Sequence, residues 1–351
     1  MTESPEADPS SDSVPGGTES LAGPAGSPDE AAASAEDARE RMRSEVLAGL
    51  TRPQKEISSK YFYDEVGSRL FEEITRQPEY YPTRVEAALL RRHVPAWVER
   101  TGPRAVLELG AGSAAKTRII LDALTASRRG AVYAPVDVSA DFLDETAAEL
   151  RREYPGLDVR PVVADFTRDA AAPSELPRPA WVALLGSTIG NFTHDEARAI
   201  LAGAAHRMHP EDAFLLGVDL QPGPCKSVAR LEHAYNDDAG ITAAFNRNVL
   251  LVLNRKLGAD FDPEAFAHRA FYNEKEGRIE MHLVAPRKLA VRFPEGEEIR
   301  FAAGESVRTE ISCKYTRPRV ERLLVGSGLE VDAWAEDAEG LFALTLLRRV
   351  P

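Results

Sequence analysis

From residue 104 onward the chain alternates short apolar runs with amphipathic stretches, and each apolar run stops at an acid or a glycine. Ala105-Val106-Leu107-Glu108-Leu109 runs into glycines, Val132–Val136 into Asp137, and Val159–Val163 into Asp165-Phe166. Trp181–Leu185 stops at Gly186, and Phe214–Val218 at Asp219. Helical periodicity fills the intervals over Thr117–Leu124, Phe142–Arg152 and Glu196–Met208. A chain that repeats strand, helix and strand in this way builds a mainly parallel sheet with right-handed crossovers and helices on its faces. Such sheets bind ligands beyond the carboxyl ends of their strands. The acids and glycines fall at those ends.

The alternation stops after Asp219 and resumes with a helix over Arg319–Val325, closed by Gly326 and Gly328. Two strands follow, Glu330–Glu336 and Phe342–Arg348. The short turn Asp337-Ala338-Glu339-Gly340 between them makes an antiparallel pair. Five strand–helix units, a helix and a terminal hairpin look like the Rossmann-like seven-stranded sheet of class I methyltransferases, an α/β fold. On that reading residues 84–220 and 316–351 form the methyltransferase domain. Residues 221–315 are an insertion that joins residues 41–83 in a second, substrate-binding subdomain over the carboxyl ends of the strands.

The formal net charge of -13 is concentrated at one end of the chain. Residues 1–40 hold ten acids and one base, Arg39, among Ser, Pro, Gly and Ala. Such a stretch buries too little surface to offset its ordering entropy, so residues 1–40 read as a disordered acidic tail. Helical pattern starts near Ala38 and runs through Val46 to Leu50. What remains is only mildly acidic, with no basic footprint for nucleic acid. Cys225 and Cys313 are the only cysteines. They give no disulfide framework and no thiolate metal site, and they suit a reducing compartment. No basic segment with an apolar core opens the chain, and no apolar run approaches the roughly 18 residues of a membrane helix. The expectation is a cytoplasmic protein, a monomer, with no metal and neither membrane nor nucleic acid as partner.

The segment Glu108-Leu109-Gly110-Ala111-Gly112-Ser113-Ala114-Ala115-Lys116-Thr117 leaves a strand and opens a helix. Glycines there let a ligand approach the backbone, and the helix start offers free N–H groups. A dinucleotide fingerprint would need a third glycine at position 115, which is Ala. An acid two residues before the first glycine is instead the pattern of S-adenosylmethionine sites. Asp137 is placed to accept from ribose hydroxyls. Asp165 can take an adenine amino group, and Phe166 can stack on the base. Lys116 stands at a helix start, where the dipole disfavours a cation, so a contact with the methionyl carboxylate of the cofactor accounts for it better than a surface role.

Longer strings carry a closer resemblance. They are Tyr61-Phe62-Tyr63-Asp64, Pro78-Glu79-Tyr80-Tyr81-Pro82-Thr83-Arg84, Leu185-Gly186-Ser187-Thr188-Ile189-Gly190-Asn191, Ala243-Ala244-Phe245-Asn246-Arg247-Asn248, Arg278-Ile279-Glu280-Met281 and Thr309-Glu310-Ile311-Ser312-Cys313-Lys314. From about residue 41 to the C-terminus the chain resembles the histidine Nα-trimethyltransferases of ergothioneine biosynthesis. The resemblance implies that Tyr63, Gly110, Lys116, Asp137, Asp165 and Phe166 hold S-adenosylmethionine. It implies that Tyr80, Gly186, Asn191, Tyr235, Met281, Glu310 and Ser312 hold histidine. Asn191 and Tyr235 would donate to the substrate carboxylate, while Glu310 and Ser312, two apart on an extended segment, would face the imidazole. Gln221-Pro222-Gly223-Pro224-Cys225-Lys226-Ser227 looks longer than the family's usual connection and precedes the helix leading to Tyr235, which leaves the pose of Tyr235 open.

Transfer from a sulfonium is an in-line displacement, so the enzyme supplies positioning and desolvation. The α-amine must react as its free base. Tyr63 and Asn191 are the candidates to orient it, with water or a tyrosine oxygen taking the proton. Three rounds would yield the betaine hercynine. Two other readings use the same scaffold: a methyltransferase acting on another amino acid, such as a tryptophan derivative, and a non-catalytic cofactor-binding protein.

Overall fold

The computed structural model describes residues 28–127, 131–168 and 176–350, with side chains described from residue 36. The chain divides into two compact units, residues 1–42 and 43–351. The first helix spans Pro28–Leu50 and starts well before Ala38. The expectation of a disordered tail to residue 40 is therefore corrected for its last part, while residues 1–27 lie outside the described residues. Burial was the wrong criterion there. Ala31-Ala32-Ala33 has high intrinsic helix propensity, which burial does not measure.

The second unit is organised by its largest sheet. Its strand order is Leu329–Glu336, Phe342–Arg349, Ala213–Asp219, Ala180–Leu184, Ala105–Leu109, Ala131–Asp137 and Leu157–Val159, with Val162–Val163 also paired to Ala131–Asp137. The strands from Ala213–Asp219 to Leu157–Val159 run parallel, and Phe342–Arg349 runs antiparallel to both of its neighbours. This is the seven-position, class I methyltransferase order. The strand expected over Val159–Val163 is broken in two, because Pro161 has no N–H for the ladder.

Both faces of the sheet are covered, so its central strands are buried at every position. Leu107, Val182, Leu216 and Ala343 face Leu201, Val320 and Leu323 of the helices His194–Arg207 and Arg317–Leu324. Val106, Tyr133, Trp181 and Leu215 face Leu90, Ile120 and Leu150 of the helices Tyr81–Thr101, Thr117–Ala126 and Ala140–Glu153.

Residues 221–315 interrupt the alternation and, with Lys55–Glu56, build a second sheet. Its order is Lys55–Glu56, Ser306–Cys313, Arg278–Val284 and Ala267–Asn273. The helices Glu65–Arg76 and Ile241–Leu257 pack together beside it. The Ser306–Cys313 strand lies against the turn Thr188–Asn191, which follows the Ala180–Leu184 strand. At that crossing a side chain on Gly190 would come within 2.7 Å of the Cys313 carbonyl. A bridge from Leu220 to Tyr315 fastens the two sheets a second time. No helix among the described residues is long and apolar enough to cross a membrane.

Candidate active site

The Ala105–Leu109 strand delivers the chain to Gly110 and Gly112, both at positive φ, +72° and +52°. A side chain at Gly110 would touch Phe166 at 3.6 Å and Thr188 at 3.9 Å, so glycine keeps the floor between these strand ends open. The Asp137 carboxylate is fixed by Gly112 N–H at 3.0 Å and Ser139 N–H at 3.1 Å, with lone pairs to spare. Asp165 accepts from Thr167 N–H at 3.0 Å, and Lys60 Nζ stands 3.8 Å from its other oxygen. Phe166 meets Phe192 edge-on, with centroids 6.0 Å apart. Gly110, Asp137, Asp165 and Phe166 thus gather at one end of the sheet.

Lys116 precedes the Thr117–Ala126 helix, and its ammonium is ion-paired with the fully buried Glu86. Glu86 also receives the Gly186 N–H on both oxygens, at 2.8 and 2.9 Å. One buried carboxylate therefore ties Lys116 to Gly186. Glu108 behaves differently from what its place ahead of the glycines suggested. It turns into the core and accepts from Thr117 Oγ1 at 2.6 Å and Tyr133 OH at 2.5 Å. Burial pushes it up to about 7.

Tyr63 follows the turn Ser59–Phe62 and packs edge-on against Phe71 and Phe245, each at 5.8 Å. Tyr80 precedes the Tyr81–Thr101 helix and meets Tyr235 edge-on at 6.2 Å. Burial above all, and the neighbouring Glu310 carboxylate among other groups, push the Tyr63, Tyr80 and Tyr235 phenols well above their usual range. Glu310 lies opposite the buried Met281 in the antiparallel register. Glu310 and Ser312 share one face of the Ser306–Cys313 strand. Burial raises Glu310 to about 7 against the pull of Lys314. Its carboxylate has no hydrogen-bond or ion-pair partner among the described residues, and neither has the Asn191 amide at the end of the Thr188–Asn191 turn.

The Gln221–Ser227 connection closes as a tight turn through Gly223 N–H to Lys226 O at 2.9 Å and Lys226 N–H to Gly223 O at 3.1 Å. Ser227 then caps the Val228–His233 helix. His268 Nε2 lies 2.9 Å from the Tyr235 carbonyl, and its Nδ1 lies 2.8 Å from the Asn246 amide nitrogen. As a neutral ring donating from Nε2 and accepting at Nδ1, His268 fixes the backbone of Tyr235.

Residues 42–349 match the model of a family described as histidine-specific, S-adenosylmethionine-dependent methyltransferases. The chain belongs to this family. A Histidine N-alpha-methyltransferase of Mycolicibacterium smegmatis is 43% identical over 316 residues, 90% of this chain and 97% of that protein. One from Mycobacterium tuberculosis is 43% identical over 310 residues, 87% of this chain and 94% of that protein. The solved CcbJ methyltransferase of Streptomyces caelestis aligns with a TM-score of 0.44 at 14% identity, over 74% of this chain and 95% of that one. The family's cofactor is S-adenosylmethionine.

Sequence reasoning missed the groups behind this member's pocket. Glu86 gave no signal, since only the fold brings it under Gly186. Asp219 was visible as the end of a strand, but its partners were not. Its carboxylate accepts from Tyr81 OH at 2.8 and 3.0 Å and pairs with Lys226 at 2.5 Å and Lys314 at 2.8 Å. The only available cue was spacing: Lys314 is two residues beyond Ser312, as Ser312 is beyond Glu310.

Proposed function

We propose that this protein transfers methyl groups from S-adenosylmethionine to the α-amino nitrogen of L-histidine in three rounds, forming hercynine, the betaine of ergothioneine biosynthesis. The observation that carries the reading is Glu310: a carboxylate without a partner, raised to about 7 by burial, ringed by Tyr63, Tyr80 and Tyr235, in a chain of the histidine-specific family. Residues 43–83 and 221–315 would bind the substrate, and the large sheet would carry the cofactor.

The residues at the strand ends suit that cofactor. Gly110 leaves room for close approach, Asp137 keeps lone pairs for a ribose diol, and Asp165 with Phe166 suits an adenine. The Lys116–Glu86 pair would meet the methionyl end. Tyr63 would contact the cofactor and the amine together. When bound, S-adenosylmethionine supplies a methyl group on a sulfonium that is already a good leaving group.

The chain's part is position, desolvation and the fate of one proton per round. Asn191 and Tyr235 would hold the substrate carboxylate, Tyr63 and Asn191 the amine, and Tyr80 and Gly186 the space around them. Glu310 would accept an imidazole N–H, with Ser312 and Met281 completing the ring's surroundings. The raised phenols favour water as proton acceptor, because a neutral phenol oxygen orients an amine without holding its proton. A free amino acid asks for neither membrane nor nucleic acid, and we take the enzyme to work as a cytoplasmic monomer. Incubation of the protein with histidine and S-adenosylmethionine, followed by mass spectrometry, should give mono-, di- and trimethylated products. Histidine recovered without added methyl groups would refute the reading.

A further inference from the structure

Behind the substrate face lies a buried cluster with more positive than negative charge. Asp219, Lys226 and Lys314 are all fully buried. Lys226 suffices as counter-ion for Asp219: it contacts the carboxylate at 2.5 Å and spends its other protons on the Leu220 and Leu341 carbonyls. Tyr81 OH adds a further donor to the same carboxylate. A second buried ammonium is surplus to that pairing, and desolvating it costs several kcal/mol. Lys314 is nevertheless held there, with its three protons directed at Asp219 Oδ2, Tyr235 OH and Ser312 Oγ, each at 2.8 Å.

The chemistry of those contacts is one-directional. An ammonium donates and never accepts. Tyr235 and Ser312 each receive a proton from Lys314, and their oxygens lie 3.0 Å apart. The pair owns two hydroxyl protons, and one at most closes the contact between them. At least one remains for a ligand, while Lys314 engages one lone pair on each oxygen. Glu310, on the same strand face, is the opposite case: a carboxylate that, once ionised, can only accept and has no partner among the described residues.

We propose that Lys314 is a positioning residue that sets the hydrogen-bond polarity of the substrate pocket, so that the Tyr235–Ser312 pair offers a donor opposite the acceptor Glu310. The proposal rests on the histidine reading above and deepens it. A pocket with one acceptor and one donor matches a neutral imidazole, which has one N–H and one bare nitrogen. It disfavours rings without the bare nitrogen, since a buried donor would then lose its partner.

Two isosteres of histidine probe this directly. In β-(pyrrol-2-yl)alanine and β-(pyrrol-3-yl)alanine a single ring N–H is kept, at one or the other position, and the bare nitrogen becomes C–H. Whichever nitrogen faces Glu310, one of the two keeps that contact and loses only the other. Steady-state kinetics should show the wild-type protein preferring histidine over the better pyrrole by about 10- to 100-fold in kcat/KM, the size expected for an orphaned buried donor. In Lys314→Met that preference should fall at least about tenfold and the histidine KM should rise, with S-adenosylhomocysteine affinity by calorimetry within about twofold of wild type. Lys226→Met, which removes the other lysine of the cluster, should keep the preference.

Turnover of histidine by the wild-type protein without preference over either pyrrole overturns the proposal, whatever the variants do. So does an unchanged preference in Lys314→Met, or its equal loss in Lys226→Met. If Lys314→Met fails to bind S-adenosylhomocysteine, Ser312→Ala replaces it: it keeps the lysine, and retention of the wild-type preference would again overturn the proposal. Failure of the wild-type protein to methylate histidine at all would strike the underlying reading instead.

Discussion

Two carboxylates raised by burial to about 7, Glu108 and Glu310, illustrate how differently one shift can be used. Glu108 has its partners inside the core, Thr117 and Tyr133, whereas Glu310 has none among the described residues and stands beside the Tyr63, Tyr80 and Tyr235 phenols. For Glu108 the folded value lies above the unfolded one, so its contribution to stability is full in acid and is lost as pH rises through about 7. Glu108→Gln keeps an acceptor for both hydroxyls and removes the titration. Urea unfolding at pH 5 and pH 8.5 should show the variant gaining on wild type with rising pH, by up to about 3 kcal/mol. Parallel pH profiles for the two proteins would disprove this. On the proposed reading Glu310 accepts in its ionised form, so its contribution to histidine binding should grow as pH rises through about 7. Glu310→Ala should raise the Kd for histidine about 10- to 100-fold and leave that for S-adenosylhomocysteine within about twofold, both measured by calorimetry. Unchanged histidine affinity would remove Glu310 from the site.

At the scale of elements, the proposed site depends on one crossing. The Thr188–Asn191 turn carries Asn191, the Ser306–Cys313 strand carries Glu310 and Ser312, and Gly190 lets them meet. A methyl group at residue 190 would stand 2.7 Å from the Cys313 carbonyl and 3.2 Å from its nitrogen, both backbone atoms that cannot rotate away. Gly190→Ala should therefore separate the turn from the strand. A displacement approaching 1 Å costs on the order of 100-fold in a positioned reaction. The expected outcome is a fall of about 10- to 100-fold in kcat/KM for histidine, and a loss of about 1–3 kcal/mol in stability from overpacking. Wild-type kinetics in a folded Gly190→Ala protein would show that the crossing has slack.

At the scale of the molecule, residues 43–351 form one compact unit although they contain three sheets, the third a two-stranded pair of Leu289–Arg292 with Glu298–Phe301. The three tryptophans, Trp97, Trp181 and Trp334, all belong to the large sheet or the helix on it. Tryptophan fluorescence therefore reports on that sheet, while far-UV circular dichroism reports on the whole unit. If the unit is cooperative the two signals should give coincident urea transitions, and S-adenosylhomocysteine at about 100 times its Kd should shift both by about 2.7 kcal/mol. A second-sheet transition that the ligand does not move would separate the halves.

The order of the large sheet was legible because each strand is buried on both faces and ends in a residue with local meaning. Ala105–Leu109 running into Gly110, Ala131–Asp137 into its own acid and Ala180–Leu184 toward Gly186 are patterns of propensity, burial and turn chemistry within ten residues of chain. Gly110, Asp137, Asp165 and Phe166 could be found for the same reason, since an open parallel sheet brings its strand ends together whatever the details. Tyr80, Asn191, Met281, Glu310 and Ser312 came from family strings, and Tyr235 from the same resemblance, because nothing local tells a site residue from a surface one. Even those strings left two things open. Residues 28–37 were given to a disordered tail although propensity alone makes them helical. Glu108 was grouped with the cofactor loop although the fold turns it toward Tyr133. The tertiary structure alone decided the partners at long range: Glu86 with Lys116 and Gly186, and Asp219 with Lys226 and Lys314. A charge chooses its partner by distance and desolvation in three dimensions, and neither is written in the spacing of residues along the chain.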